Sequence, residues 1–198
     1  MHDLCAISED EMVAVFLQTE IASTRFDARI LAILQRDGRD RRVIDRPNLD
    51  DAEENAYRAL VLGEHRGYRR DVDVFTGMPD DVRWFRARLT REELAQVRYI
   101  DYDYWTELSG GTRRVADGAA RVRRRIKAFG VGNGAYWYLA DALRAGATFP
   151  EPILVGTDEQ SPLVVLEGHV RLTAYLLRPE YLPATLPILV GLSPQMDK

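Results

Sequence analysis

Apolar positions at helical spacing open the chain, and an alternating pattern follows them. Ser8-Glu-Asp-Glu11 offers an N-cap and a capping-box glutamate ahead of Met12, Val15, Phe16 and Thr19, which share one helix face. A second helical pattern covers Phe26 to Gln35 and stops near Gly38, which suits a helix terminus. Asp37 to Asn48 is charged and holds a proline, so it reads as a loop. Asp50 is placed to cap a third helix running through Leu62, with Ala52, Ala56, Ala59 and Leu60 inward. Alternation then takes over. Val72 to Thr76 and Val82 to Leu89 read as two strands around Gly77-Met-Pro79, the second setting Val82, Trp84, Ala87 and Leu89 against Arg83, Arg86 and Arg88. Thr90-Arg-Glu-Glu93 repeats the capping-box pattern and starts a short helix. A basic helix (Val115 to Phe129) and an aromatic helix (Tyr136 to Leu143) follow, joined by the flexible Gly130-Val-Gly-Asn-Gly134. The fold class is α+β. A mostly helical portion, residues 1–90, precedes a small mixed sheet with helices built by residues 91–198.

Composition narrows the function classes. Of 198 residues, 46% are hydrophobic and 29% charged, an ordinary globular balance that can bury a sizeable core. No apolar run approaches the roughly 20 residues that span a bilayer, and Met1-His-Asp-Leu does not read as a signal peptide. The expectation is a cytoplasmic protein with no membrane partner. A single cysteine, Cys5, allows no internal disulfide, and three scattered histidines give no zinc pattern. The net charge of −4 disfavours a dedicated nucleic-acid binder. One segment departs from that balance: Arg113, Arg114, Arg121, Arg123, Arg124, Arg125 and Lys127 lie close together. They form either a solvated helix face or a surface for a polyanion. No aromatic residue interleaves with these arginines, so the sequence does not indicate a stacking platform for single strands.

Candidate chemistry concentrates in Pro162 to Tyr175. An apolar strand, Leu163 to Leu166, runs into Glu167-Gly168 and straight into an amphipathic helix. Such a junction aims the first backbone N–H groups at one point, where the helix dipole adds about half a positive charge. Gly168 permits a tight turn and close approach of a ligand, and His169 and Arg171 follow at once. These residues describe an anion site, with Thr173 one turn on as a further contact. An ordinary strand-to-helix turn with surface charges is the alternative. Glu167 is a general base or a carboxylate pairing Arg171; the sequence allows both.

The turn Gly168-His169-Val170-Arg171 resembles the Gly-x-x-Arg turn of the ParB/sulfiredoxin-like nucleotide-binding superfamily, and within it the free-serine kinase type most closely. Tyr138 to Gly146 and Pro152 to Gly156 are similar to the helix and strand ahead of that turn, and Leu186 to Gly191 to the returning strand. A sulfiredoxin carries cysteine where this chain has His169, and partition proteins carry a pair of arginines that is missing here. The resemblance implies a nucleotide, ATP or another, held with Mg²⁺ at Gly168, His169 and Arg171, and phosphoryl transfer to a small-molecule acceptor, as in a kinase. Its non-catalytic alternative is a nucleotide-sensing switch that closes a homodimer, or an interaction module for protein or nucleic acid.

The resemblance also sets Tyr99-Ile-Asp-Tyr-Asp-Tyr-Trp105 as the wall facing the turn. Asp101 and Asp103 then become candidates to accept an acceptor's hydroxyl proton, beside Glu167 and His169, and Asp101, Asp103 and Glu107 candidates to hold Mg²⁺. Ser109, Gly110, Gly111 and Arg113 would present N–H groups and a guanidinium to phosphates. The same stretch also reads as a helix with aromatic packing that ends at Gly110. Glu64 and His65, adjacent on a helix, read as a surface helix end rather than an acid/base pair.

Overall fold

A computed structural model describes all 198 residues. They form two compact units: Ile7 to Asp80, and Met1 to Ala6 together with Asp81 to Lys198. The division falls at Asp80 rather than at residue 90. Strand β1 (His2–Ala6), which the sequence did not announce, hydrogen-bonds to a strand beginning at Arg83 and so carries the first six residues into the larger unit. No helix is long and apolar enough to cross a membrane.

The smaller unit holds α1 (Glu9–Ile21), α2 (Asp27–Arg36), α3 (Arg42–Asp45) and α4 (Ala52–Arg66). Ser8 caps α1 as expected, accepting from the Glu11 amide at 3.1 Å. The segment read as a plain loop contains α3, a single turn whose Val43 and Ile44 are buried. Asp51, not Asp50, caps α4, accepting from the Glu53 and Glu54 amides at 2.9 and 3.0 Å. The inward face of α4 also differs from the alanine face: Ala52, Ala56 and Leu60 face solvent, while Asn55, Arg58, Val61, Leu62 and His65 are buried. Polar residues occupy that face because each finds a partner, which removes the desolvation cost. Val72 to Thr76 is not a strand but a 3₁₀ turn over Asp73–Phe75. Its adjacent residues Val74 and Phe75 are both buried, and the Phe75 ring lies 5.6 Å from Phe16 and 5.2 Å from Tyr68.

The larger unit is α+β. It adds β2 (Arg83–Thr90), α5 (Arg91–Leu94), α6 (Asp103–Leu108), α7 (Val115–Arg123), α8 (Gly134–Arg144), β3 (Ile153–Gly156), β4 (Val164–Glu167), α9 (His169–Leu177) and β5 (Thr185–Leu192). The sheet order is β1-β2-β5-β3-β4, antiparallel except for the parallel pair β3–β5. Beyond β4, Arg98 bridges Val164 in parallel and Arg114 antiparallel, which brings residues 97–99 and 113–115 to the sheet's far side. Ala87 and Leu89 of β2 join Leu186, Ile188 and Val190 of β5 in the core with α7, α8 and α9. Trp84 lies on the opposite face, over Gly191, where a Cβ would meet its ring at 2.8 Å. Thr90 and Glu93 form the expected capping box on α5.

The basic helix is shorter than its sequence pattern. α7 ends at Arg123; Arg125 and Phe129 adopt positive φ (59° and 47°), so residues 124–133 form a loop leading into α8. That loop turns the last cations and Phe129 out of the helix face that periodicity assigned to them.

Candidate functional site

Strand β4 delivers the chain to Gly168, whose φ of 104° starts α9. A side chain there would crowd Pro152 at 3.0 Å, so the turn is built for glycine. No side chain caps α9. The basic groups of the turn, however, face inward. Arg171 is buried: its Nη1 donates to the Pro150 carbonyl at 2.6 Å and its Nη2 pairs with Glu167. Of the two roles open to Glu167, the structure shows the second. The pair ties the segment ahead of β3 to the start of α9.

Thr173 is also internal. Its hydroxyl donates to the His169 carbonyl at 2.7 Å and lies 2.6 Å from the Tyr99 hydroxyl, which leaves it no reach toward a phosphate. His169 stacks on Trp105 with centroids 4.8 Å apart and rings 17° from parallel; Tyr99 stacks on Trp105 at 4.9 Å. Tyr99 and Trp105 thus lie against the turn through their rings, not through the carboxylates between them.

Burial raises the Tyr99 phenol well above its ordinary value of 10.0, against the opposing effect of the Thr173 hydrogen bond. In the unfolded chain this phenol ionises near pH 10, whereas in the fold it stays neutral. Its contribution is therefore complete below pH 10 and is lost as pH rises past that value. Chemical denaturation across pH 8 to 11 should show stability falling above pH 10, with a shallower fall in Tyr99→Phe.

Asp101, Asp103 and Glu107 do not gather around one point. Asp101 accepts from Thr106 at 3.3 Å and pairs with Arg113 at 3.5 Å, Glu107 faces Arg121 at 3.7 Å, and Asp103 opens α6 on the exposed surface. No three His, Cys, Asp or Glu side chains are placed to share a metal ion. Ser109 to Arg113 is a helix terminus. The buried Ser109 hydroxyl bonds the Trp105 and Thr106 carbonyls and accepts from the Arg113 amide at 2.9 Å, while Gly110 and Gly111 turn the chain at φ 69° and 92°. Arg113 donates Nε–H to the Tyr99 carbonyl at 3.0 Å. These residues hold the bridges at 98 and 114 in register; none presents an open cradle of amides.

In the smaller unit, Glu64 accepts from Arg36 at 2.8 Å on the surface. His65, read as a surface residue, is instead buried against Glu20, which also takes Arg66 at 2.8 Å. Here a carboxylate on α1 supplies the partner that lets a polar side chain enter the core.

An open cleft of about 400 Å³ lies at the start of α8, lined by Arg125, Lys127, Asn133, Gly134 and Trp137. Asn133 is the N-cap residue, yet no side chain caps the helix. Its Nδ2 donates to the Ile126 carbonyl at 2.9 Å, closing the loop, and its Oδ1 is buried with no hydrogen-bond partner. Gly134 occupies the first helical position, and nothing lies within 4 Å of where its Cβ would stand. Arg178 sits over the Trp137 ring at 5.7 Å. Two cations, an uncapped helix start and the Trp137 side chain therefore line a common space. These cations stand out in the sequence, but its periodicity puts them on a helix; the two positive-φ positions that break it carry no strong signal, since neither is glycine. Comparison with protein-family models, with curated proteins and with solved structures finds no match to this chain.

Proposed function

We propose that the protein is a non-catalytic module that binds a phosphate-bearing ligand, of the nucleotide class, in the cleft at the start of α8. The supporting observation is the convergence of Arg125 and Lys127 on an uncapped helix start with Gly134 at its first position. The first-turn N–H groups and about half a positive charge of dipole favour an anion there, and the two side chains add formal charge. Trp137 offers an apolar wall for a ring. Binding is favoured over phosphoryl transfer because the cleft lining contains no carboxylate, and the carboxylate nearest the Gly168 turn is paired with Arg171.

Thermal unfolding with ATP, ADP, CTP, GTP and pyrophosphate, each with and without Mg²⁺, tests this reading. A ligand at 100 times its Kd stabilises the native state by about 2.7 kcal/mol. The shift should vanish in Arg125→Ala/Lys127→Ala and persist in His169→Ala, the variant at the other turn. No shift from any ligand, or a shift that only His169→Ala removes, contradicts it.

A further inference from the structure

The stretch of chain that lines the cleft also carries exposed rings and cations outside any ion pair. Tyr138 and Phe129 are the most exposed large apolar side chains of the protein, at 74% and 67%, and Val131 is 49% exposed between them. They sit in the segment that carries Arg124, Arg125 and Lys127. None of these three cations has an ion-pair partner, whereas Arg36, Arg39, Arg41, Arg66 and Arg86 elsewhere each meet a carboxylate. In a chain of net charge −4, three exposed cations outside any ion pair, close together along the chain, concentrate positive charge locally. Exposed aromatic rings are costly to leave in water, and here they fall in the same short segment as those cations.

We infer that the ligand of this cleft is a single-stranded nucleic acid. The inference rests on the cleft being a phosphate site. One nucleotide occupies the cleft with its phosphate on Arg125, Lys127 and the start of α8; the strand's next phosphates follow Arg124, and its adjacent bases stack on Phe129 and Tyr138. Flat rings recognise the faces of unpaired bases regardless of sequence, and a duplex hides those faces. An acidic peptide would use the cations but would leave both rings without a flat partner. The ring-plus-cation pairing therefore favours a nucleic acid over a protein. Phosphates and base faces are common to DNA and RNA, so both share the recognised chemistry.

The test is fluorescence anisotropy of labelled 12-nucleotide oligo(dT) and oligo(U) with the full chain, over a salt series, against a 12-base-pair duplex and poly-glutamate. Both single strands should bind at least 10-fold more tightly than the duplex. Three phosphate contacts predict a slope near −2 for log K against log salt, from about −0.7 per contact on single strands. Phe129→Ala and Tyr138→Ala, both exposed positions that leave the fold intact, should each weaken binding about 5- to 150-fold, as loss of one stacked base does. Those two variants should leave the pyrophosphate thermal shift unchanged, which separates the strand from the cleft. Binding that ignores both rings, equal affinity for duplex or poly-glutamate, or a pyrophosphate shift with no strand binding overturns the strand while sparing the cleft. A preference of one single strand over the other identifies which nucleic acid is the natural one. Absence of both the shift and strand binding overturns the two readings together.

Discussion

Replacing Arg171 by alanine should destabilise the larger unit by about 3–5 kcal/mol, the cost of removing one member of a buried ion pair. The guanidinium is 8% exposed and its partner Glu167 13%, so little solvent is at hand to replace either group. Alanine removes the bonds that Arg171 gives to the Glu167 carboxylate and the Pro150 carbonyl, and so loosens the segment that leads into β3. Arg171→Met keeps much of the volume but none of the bonds, and should be nearly as damaging. The double variant Arg171→Met/Glu167→Leu, which removes both charges, should recover a large part of the loss. Chemical denaturation of the three proteins checks this. A single Arg171→Ala variant as stable as the parent, with nucleotide affinity lost, would return Arg171 to a binding role.

The second large effect belongs to Arg58. Its side chain is completely buried on α4, and it donates to the Val43 carbonyl at 3.0 Å, the Asn48 carbonyl at 3.0 Å, Asn55 Oδ1 and the Glu54 carboxylate at 3.3 Å. One guanidinium thereby satisfies the end of α3 and the loop before α4. Arg58→Ala leaves two carbonyls, an amide oxygen and a cavity, for a loss of about 3–5 kcal/mol. Arg58→Lys retains the charge but only one donor head, and should recover less than half, because the planar fork reaches several acceptors at once. Hydrogen exchange in α3 and α4 reads the effect directly: both helices should lose protection in Arg58→Ala. Unaltered protection at Val43 and Ile44 would mean that the packing of α3, not Arg58, holds that turn.

The two arginines mark the limit of what the chain shows as a string. Caps were legible, because Ser8 with Glu11 and Thr90 with Glu93 are local signals with local partners. Strand β2 was legible from its alternation and β4 from a short apolar run, whereas β3 and β5 were placed only by the resemblance around Gly168. What was hidden depends on contacts remote in sequence. His65 enters the core because Glu20, forty-five positions away, meets it. Arg171 turns inward because Pro150 offers a carbonyl and Glu167 a carboxylate. Strand β1 carries no alternation, its residues being largely exposed, and exists because β2 presents a free edge. The resemblance at Gly168 to Arg171 located a glycine-started helix that the structure does contain, but the turn's sequence could not say where its side chains point. Conversely, the cleft at α8 rests on positive φ at Arg125 and Phe129, which no periodicity announces.

Backbone amide NMR of the full chain titrated with ATP and with pyrophosphate places the phosphate without reliance on any variant. Saturable shifts are expected to centre on Asn133, Gly134 and Trp137, with Arg125 and Lys127 moving in parallel and Gly168 to Arg171 unmoved. Shifts centred on Gly168 to Arg171 instead, or no saturable shifts at either helix start, would contradict that placement.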